Sequence, residues 1–360
     1  MPLIWCSISS HGFGHAAQIV PVLNALGKQV RDLTAILRTT VPSSFFEPRL
    51  QIPWQRSHAT QDIGCIQQGP LTIDVPRTWA AHESFHENWH AKVQAEAALI
   101  RAAAPVFVLS DISHLAIAAG AEARVSTLGL CSLSWDLVLA NYMGNDPETE
   151  QGVMDRIGEA YEKAAGFIRV TPGLPMKAFH QVYDVGAIGE PAEPRSAALR
   201  TVLGASDSDC VVLVGFGGIQ LETLPFDKLD SMAPFRFIVG GPVPRGLTRV
   251  LSTEALPFSF KTVLASVDLI MTKPGYGTIV EAVALQKPVV YVRRYNFADE
   301  QSLVDYLHHY GRGAELAVDD FLAGRWKTTL STAWTSSSPA YAPPPLSGAT
   351  EAAGLLAEYF

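Results

Sequence analysis

One strand–turn–helix–strand segment in the second half of the chain constrains its fold more than any other feature. Residues 268–272 and 289–292 are short apolar runs typical of buried strands. Between them lies Lys-Pro-Gly-Tyr-Gly-Thr-Ile-Val-Glu at 273–281, and residues 278–285 have a helical pattern. The glycines allow a tight turn and close approach of a ligand to the backbone. The segment therefore predicts a helix N-terminus that can bind an anion at the turn.

The same alternation of apolar runs and helical segments continues through both halves of the chain. Other runs of strand length occupy residues 3–8, 33–37, 106–109, 125–133, 210–214 and 235–239. Helical patterns occupy residues 19–26, 80–103 and 115–121. Strands that alternate with helices predict parallel, doubly wound sheets of the α/β class.

The length of 360 residues exceeds what one hydrophobic core usually serves, so two domains are expected. We predict a first Rossmann-like domain at 1–170 and a second at 195–345. The Pro- and Gly-rich stretch at 171–194 is interpreted as their connection. Residues 346–360 are expected to form a helix that packs back toward the first domain.

Composition excludes several classes of protein. Hydrophobic residues make up 48% of the chain and charged residues 17%, which favours large cores over disorder. The net charge of -8 argues against broad nucleic-acid or anionic-membrane binding. The four cysteines form no CxxC pair, which indicates buried thiols in a reducing compartment. Neither a signal peptide nor a transmembrane segment is predicted, so a cytoplasmic location is expected.

The residues alone leave two interpretations of the glycine turn. Thr278 and Glu281 fit a capping box, which would make this an ordinary helix start without a ligand. A polar cluster after the second strand favours ligand binding, because α/β sheets bind ligands at the carboxyl ends of their strands. The cluster consists of Arg293, Arg294, Asn296, Asp299, Glu300 and Gln301.

At these residues the sequence resembles the GT-B glycosyltransferases. It is most similar to the MurG-type N-acetylglucosaminyltransferases and to the glycosyltransferase-like half of plant L-arabinokinases. Two further matching stretches are Ser-Ser-His-Gly-Phe-Gly-His at 9–15 and Leu-Ser-Trp-Asp-Leu at 133–137. The resemblance implies two Rossmann-like domains facing across a cleft, with a nucleotide-sugar donor held mainly by the second domain.

The resemblance also implies a set of donor contacts. Glu281 would bind the ribose hydroxyls, and Asp299, Glu300 and Gln301 would face the donor sugar. The pyrophosphate would lie against Gly275, Tyr276, Gly277 and Thr278, and close to Gly217 and Gly218. The chain has Asp-Glu-Gln where the MurG type has an Asp/Gln-Gln arrangement, and Gly-Phe-Gly where it has adjacent glycines. The donor sugar and the acceptor are therefore left open.

No pair of carboxylates follows a strand in the manner of a catalytic metal site. We expect the phosphate charge to be neutralised by backbone N–H groups and by Lys273 or Arg293, not by magnesium. No metal and no cofactor is predicted, since the nucleotide sugar would be a co-substrate.

The first glycine loop matches GxGxxG/A at residues 12–17, the dinucleotide fingerprint. An NAD site would need an acidic residue at the end of the second strand, whereas that strand ends in Arg38 and Asp32 falls at its start. In the glycosyltransferase interpretation the loop faces the acceptor side of the cleft with His11, Gly12 and Gly14.

His15, at the predicted helix start, is the first candidate for the general base that deprotonates the acceptor hydroxyl. The helix N-terminus is expected to keep its imidazole neutral. The alternative is a histidine that caps or packs locally. Asp111 is the second candidate base, or an ordinary N-cap for the following helix. Asp136 is treated in the same way, as an acceptor-side residue.

A histidine stripe offers a different reaction class. His82, His86 and His90 share one face of the predicted helix, and His82 to His86 matches HExxH. A zinc hydrolase would use Glu83 as its base. The other interpretations are a stripe along the acceptor side of the cleft and a solvated helix face, which we favour.

Aromatic residues give weaker signals. Trp79, Phe85, Trp89 and Trp135 could line a sugar-binding cleft, but core packing is the more frequent fate of such rings. The resemblance places the loop of Phe258 and Phe260 near the nucleotide base.

The sequence thus predicts an inverting, metal-independent glycosyltransferase that moves a sugar from a nucleoside diphosphate, with UDP expected, to an acceptor hydroxyl. The alternatives are a sugar-nucleotide epimerase or hydrolase on the same fold and a non-catalytic nucleotide-sugar-binding protein. Fold alone does not decide among them.

Overall fold

Two parallel sheets, one in each half of the chain, form the framework of the computed structural model, which describes residues 1–144, 146–217, 224–337, 339 and 341–360. The first sheet contains β1 (Leu3–Ile8), β2 (Thr34–Arg38), β3 (Trp54–Ser57), β4 (Phe107–Asp111), β5 (Thr127–Cys131), β6 (Gly166–Val170) and β7 (Val182–Val185). The second contains β8 (Cys210–Val214), β9 (Phe235–Val239), β10 (Val250–Ser252), β11 (Leu269–Thr272), β12 (Pro288–Tyr291) and β13 (Arg312–Glu315).

The strand orders are β3-β2-β1-β4-β5-β6-β7 and β10-β9-β8-β11-β12-β13. Each order reverses direction once, between β1 and β4 and between β8 and β11, as in doubly wound folds. The central strands β4, β5 and β8 are buried along their whole length, which explains why they read as continuous apolar runs.

Helices cover the faces of both sheets. In the first half they are α1 (Gly14–Gly27), α2 (Ser43–Phe46), α3 (Val75–His86), α4 (Trp89–Ala103), α5 (His114–Ala123), α6 (Trp135–Leu139) and α7 (Pro147–Tyr161). In the second they are α8 (Ser196–Leu203), α9 (Phe226–Asp230), α10 (Phe260–Ser266), α11 (Tyr276–Ala284), α12 (Glu300–Tyr310), α13 (Val318–Leu322), α14 (Lys327–Thr335) and α15 (Gly348–Ala357). Within the described ranges, no helix has both the length and the apolar character needed to cross a bilayer.

Two element boundaries differ from the sequence prediction. The helix predicted over 80–103 is interrupted, because Asn88 adopts a left-handed conformation with φ 53° between α3 and α4. Asparagine tolerates this conformation better than most residues do. The predicted connection at 171–194 contains β7, a short edge strand that pairs with β6, so the first sheet extends beyond residue 170.

The C-terminal helix α15 packs on α1 and on β7 of the first sheet. The carboxylate of Glu351 accepts a hydrogen bond from the backbone N–H of Gly186 (2.7 Å). Gly348 lies against the carbonyl of Gly186, where the two backbones meet with no room for a side chain. The end of the chain is therefore part of the structure that supports α1.

The close approach at Gly348 can be tested by adding one methyl group. Gly348→Ala would place that group against the Gly186 carbonyl, so we expect the free energy of unfolding in urea to fall by about 1–3 kcal/mol. The control is Gly354→Ala on the same helix, where the space is open. It should leave stability unchanged or raise it by up to about 1 kcal/mol. Equal effects of the two substitutions would contradict the described packing of α15.

Candidate functional site

The end of β1, the start of α1 and the end of β4 bring the two candidate bases together. Asp111 is the last residue of β4 and pairs in register with Ile8 of β1, while His15 lies in the first turn of α1. The Nδ1 atom of His15 is 3.0 Å from Oδ1 of Asp111, and both side chains are buried. Because a carboxylate can only accept, Nδ1 carries the proton.

Asp111 is not the N-cap that the sequence allowed. That position belongs to Ser113, whose hydroxyl oxygen accepts a hydrogen bond from the backbone N–H of Ala116 (3.2 Å). Ile112 between them has φ 66°, an uncommon conformation for a β-branched residue. The hydroxyl of Tyr161 donates to the carbonyl of Ile112 (2.8 Å), which helps to hold this bend and the carboxylate before it.

The Asp111 carboxylate also sets the basicity of His15. Burial lowers the pKa of His15, but the charge of Asp111 and its hydrogen bond outweigh burial and raise this pKa well above 6.5. This shift is opposite in direction to the one expected from the helix N-terminus. Nε2 of His15 makes no hydrogen bond to any residue that the structure describes, so in the neutral ring, with the proton on Nδ1, it can accept a proton from a bound hydroxyl.

The same corner holds the only group of three potential metal ligands found within the described residues. One atom each from His15, Asp111 and Cys131 lies within 4.8 Å of the others. Nδ1 of His15 is already at hydrogen-bond distance from the carboxylate, and burial raises the pKa of the Cys131 thiol. These observations favour a proton-holding cluster over a metal site.

Asp62 is a residue of this corner that sequence reasoning missed. Its two carboxylate oxygens accept hydrogen bonds from Ser9 Oγ and from the indole Nε1 of Trp135, each 2.9 Å long. Burial raises the pKa of Asp62 to about 6. The Trp135 ring lies 5.9 Å from the ring of His15 and 5.4 Å from that of His11. Asp62 has no periodic neighbours in the sequence to mark it, because it lies outside helices and strands.

A chain of polar contacts crosses from this corner to the second domain. His11 Nε2 is 3.0 Å from Nε2 of Gln67, and Lys273 Nζ donates to Oε1 of the same amide (3.3 Å). Burial lowers the pKa of His11 to about 3, so this ring is neutral and accepts. Burial, aided by Arg294, lowers the pKa of Lys273 to about 8.

The other acceptor-side predictions have simpler placements. Gly12 has φ 83°, which forms the turn after β1, and Gly14 begins α1 with open space around it. Asp136 lies in the first turn of α6, where burial raises its pKa. Within the described residues, it makes no hydrogen bond to His15 or Asp111, so the geometry gives it no part in the pair.

A cavity of about 670 Å³ opens between the two domains, beside the start of α1 and the start of α11. This volume is typical of small-molecule sites. The first domain lines the cavity with Phe13, Gly14, Ala17, Val20, Phe45, Pro48 and Arg49. The second domain lines it with Glu190, Ala192, Gly217, Ser259, Phe260, Lys261, Leu264, Gly277, Thr278 and Glu281. Several predicted donor-site residues therefore share one cavity; Gly218 lies outside the described residues.

Glu281 is directed to this cavity and not to its own helix. Its Oε1 is 3.0 Å from Nζ of Lys261 and accepts from the backbone N–H of Glu190 (3.2 Å). The N-cap of α11 is Gly275, with no side-chain capping bond. The capping-box interpretation of Thr278 and Glu281 is therefore wrong.

The side chain of Tyr276 lies between α11 and the end of the first domain. The ring is buried, its hydroxyl donates to the carbonyl of Thr171 (2.8 Å), and it accepts from the backbone N–H of Ile188 (2.9 Å). Both partners flank β7, in the stretch predicted as the connection. Through its side chain, Tyr276 thus joins α11 to the end of the first domain, and a contact of this position with a pyrophosphate stays a prediction.

Most hydrogen bonds of the polar cluster after β12 are formed within the same segment of the chain. Glu300 is fully buried and accepts from Nε of Arg294 (2.6 Å) and from the backbone N–H groups of Arg294 and Tyr295. Gln301 is exposed and donates to Asp305 one turn later (2.7 Å). The side chains of Glu300 and Gln301 thus have partners within the second domain, and their contact with a donor sugar stays a prediction.

Two members of that cluster each have one buried atom that makes no hydrogen bond within the described part of the chain. In Asp299 it is Oδ1, and burial raises the pKa of this carboxyl to about 6. In Arg293 it is Nε, which lies 3.9 Å from Oε2 of Glu300, and the guanidinium lies 4.7 Å from the ring centre of Tyr295. Such groups are candidates for ligand contacts, because buried polar atoms are otherwise paired.

The histidine stripe forms a buried cluster, so the favoured interpretation of a solvated face is wrong for His82 and His86. His82 Nε2 is 2.8 Å from the Gly64 carbonyl, and His86 Nε2 is 3.1 Å from Nε2 of His114. His90 is exposed on α4, beyond the break at Asn88. The three histidines of the zinc alternative are therefore not brought together. Trp79 and Phe85 are buried in the core near this cluster.

Comparison with known proteins shows what this chain is similar to. No protein-family model matches the chain. Over 346 residues it is 28% identical to L-arabinokinase of Arabidopsis thaliana. The aligned region covers 93% of this chain and 32% of that protein. The chain thus spans about a third of the length of this curated relative.

Solved structures match nearly the whole chain. The glycotransferase of kitacinnamycin has a TM-score of 0.65 at 13% identity, covering 100% of this chain and 99% of its own. UGT71G1 of Medicago truncatula complexed with UDP-glucose has 0.63 at 13%, and UGT2 of Phytolacca americana complexed with UDP-2fluoro-glucose and pterostilbene has 0.61 at 15%. Each of these two covers 99% of this chain and 94% of its own. The chain has the GT-B glycosyltransferase fold, which confirms the predicted fold class.

The buried histidines predict acid sensitivity. Burial lowers the pKa of His82 and of His86 to about 4. Between pH 6.5 and 4 the unfolded chain binds protons that the folded chain does not, so the free energy of unfolding falls as the pH falls. In His86→Gln the slope measured by urea unfolding should be less steep by up to about 1.4 kcal/mol per pH unit.

The control for this prediction is His90→Gln, which removes an exposed imidazole from the neighbouring helix. Its unfolding curves should keep the wild-type dependence on pH. A His86→Gln slope identical to that of the wild type would contradict the burial of a neutral ring at this position.

Proposed function

We propose that this chain is an inverting, metal-independent glycosyltransferase that moves a sugar from a UDP-sugar to an acceptor hydroxyl. The observation that carries the proposal is the buried His15–Asp111 pair at the N-terminus of α1. Phe13 and Gly14, the two residues before His15, line the interdomain cavity. Two solved structures of the same fold are complexes with UDP-glucose or a fluorinated analogue.

The pair provides the general base. The acceptor hydroxyl gives its proton to Nε2 of His15 as its oxygen bonds to the anomeric carbon of the donor, and Asp111 stabilises the imidazolium that forms. The bond from the anomeric carbon to the diphosphate oxygen breaks with its electron pair, and UDP leaves. Because one displacement occurs from the face opposite the leaving group, the anomeric configuration inverts.

The second domain stabilises the leaving nucleotide. The first N–H groups of α11 are not used within the helix, and they carry partial positive charge toward a diphosphate. Lys273, buried at the preceding turn, supplies a mobile positive charge, and Gly217 and Gly277 keep the backbone accessible. Glu281 accepts hydrogen bonds from the ribose hydroxyls, next to Lys261, which balances its charge.

The kinase activity in the name of the Arabidopsis relative belongs to a protein about three times as long, and the proposal does not extend it to this chain. The proposal names no acceptor molecule, because the polar groups around His15 define a base but not the hydroxyl compound that it deprotonates.

Removing the base separates an enzyme from a nucleotide-sugar sensor. We expect His15→Ala to lower the rate at which UDP is released from the UDP-sugar substrate by about 10²–10⁴-fold. Asp111→Asn should lower the same rate by a smaller factor. The dissociation constant of UDP, measured by calorimetry, should stay within about twofold of the wild-type value. A difference of this size is smaller than the loss of a binding contact would cause. Turnover that survives in His15→Ala would contradict the assigned role. A wild type that binds UDP but shows no turnover with a panel of sugars and acceptors would favour the sensor.

Glu281 has a separate test. Glu281→Gln removes the charge that the ribose hydroxyls would meet, so we expect UDP to bind about tenfold more weakly, the scale of a lost charged hydrogen bond. The matched control is Glu254→Gln, an exposed glutamate of the same domain outside the cavity. Thermal unfolding without ligand should be similar for both variants. Unchanged UDP affinity in Glu281→Gln would contradict the ribose contact.

A further inference from the structure

Two large apolar rings from different domains line the same cavity, and about half of each side chain is exposed. Phe13, at the start of α1, is 51% exposed, and Phe260, the first residue of α10, is 46% exposed. Phenylalanine is among the residues most often buried, so two half-exposed rings in one concave site indicate a ligand that covers them.

Both rings are held in place before any ligand binds. The ring of Phe13 stacks on that of Phe45, with centroids 5.3 Å apart and planes 7° apart. The guanidinium of Arg49 lies 4.4 Å from the centre of the Phe45 ring and donates to the Phe45 carbonyl (2.7 Å). Contacts with Phe45 and Arg49 therefore hold the Phe13 ring in place on this side of the cavity.

The opposite ring is fixed by the strand end beneath it. Two atoms of the Phe260 ring lie within 3.3 Å of the position that a side chain on Gly215 would take. The glycine after β8 thus lets the ring lie close over the backbone. The next residue, Lys261, forms the ion pair with Glu281. The aromatic ring and the proposed ribose contact are consequently neighbours in the cavity.

We propose that Phe13 supplies the second face of the nucleobase site, so that the first domain completes the binding of the donor nucleotide. The inference rests on the proposed function, because it takes the ligand of the cavity to be a nucleoside diphosphate. A base attached to a ribose at Glu281 has two flat faces, and aromatic side chains stack on such faces. Phe260 covers one face and Phe13, backed by Phe45, covers the other.

This arrangement couples the nucleotide to the catalytic pair. Phe13 is the N-cap residue of α1, and His15 lies two residues further in the first turn. A base stacked on Phe13 therefore fixes the position of the helix start that carries the general base.

The test compares a ligand that has a base with one that lacks it. Binding of UDP and of ribose 5-diphosphate is measured by calorimetry for the wild type and for Phe13→Ala. Loss of one stacked ring should weaken UDP binding about tenfold. Ribose 5-diphosphate has no base to stack, so its affinity should be the same in both proteins.

Three further variants make the result specific. Phe13→Tyr keeps a ring and should restore UDP affinity, while Phe13→Leu fills space without a flat face and should behave as Phe13→Ala. Tyr341→Ala is the matched control, because this ring is 57% exposed and stacks on His309 at a centroid distance of 4.3 Å, outside the cavity. It should bind UDP as the wild type does.

Unchanged UDP affinity in Phe13→Ala would overturn the inference and leave the proposed function standing. An equal loss for UDP and ribose 5-diphosphate would also overturn it, since Phe13 would then act by supporting the fold or the phosphate site. A wild type that does not bind UDP at all would overturn the proposed function together with the inference.

Discussion

Polar groups that are buried at the carboxyl ends of parallel strands must find partners inside the protein, and the site depends on this constraint. Leaving such a group unpaired costs about 1–3 kcal/mol, so each one organises its surroundings. Oδ1 of Asp111 is paired with Nδ1 of His15, whereas its Oδ2 has no hydrogen-bond partner among the described residues. Both oxygens of Asp62 are paired, with Ser9 and with Trp135. Glu300 is satisfied by Arg294 at the corresponding edge of the second sheet. The proposed general base is therefore positioned by the same interactions that pair the polar groups at the strand ends.

Directional contacts across this edge help to join the two domains. The Tyr276 hydroxyl binds the backbone on both sides of β7, and the Gln67 amide bridges His11 and Lys273. The contact of Tyr276 is part of the glycine turn, so the helix that would hold the diphosphate is also the helix that fastens the domains. Binding at this turn and the spacing between the domains are thus physically connected.

The sequence predicted the fold better than it predicted individual contacts. Fully buried strands and glycine turns are local patterns, so the two parallel sheets could be predicted and His15 and Asp111 could be named as candidate residues. Whether Glu281 points to its helix or to the cavity depends on Lys261, which the sequence does not mark as its neighbour. The burial of His82 and His86 and the pairing of the edge strand β7 likewise depend on tertiary partners.

A crystal structure of the protein in complex with UDP tests the central claim most directly. The account predicts the ribose hydroxyls at hydrogen-bond distance from the carboxylate of Glu281 and the diphosphate at the N-terminus of α11. The terminal phosphate should point toward the corner that holds His15 and Asp111. UDP bound elsewhere, or bound in this cavity with its phosphates directed away from α11, would contradict the account.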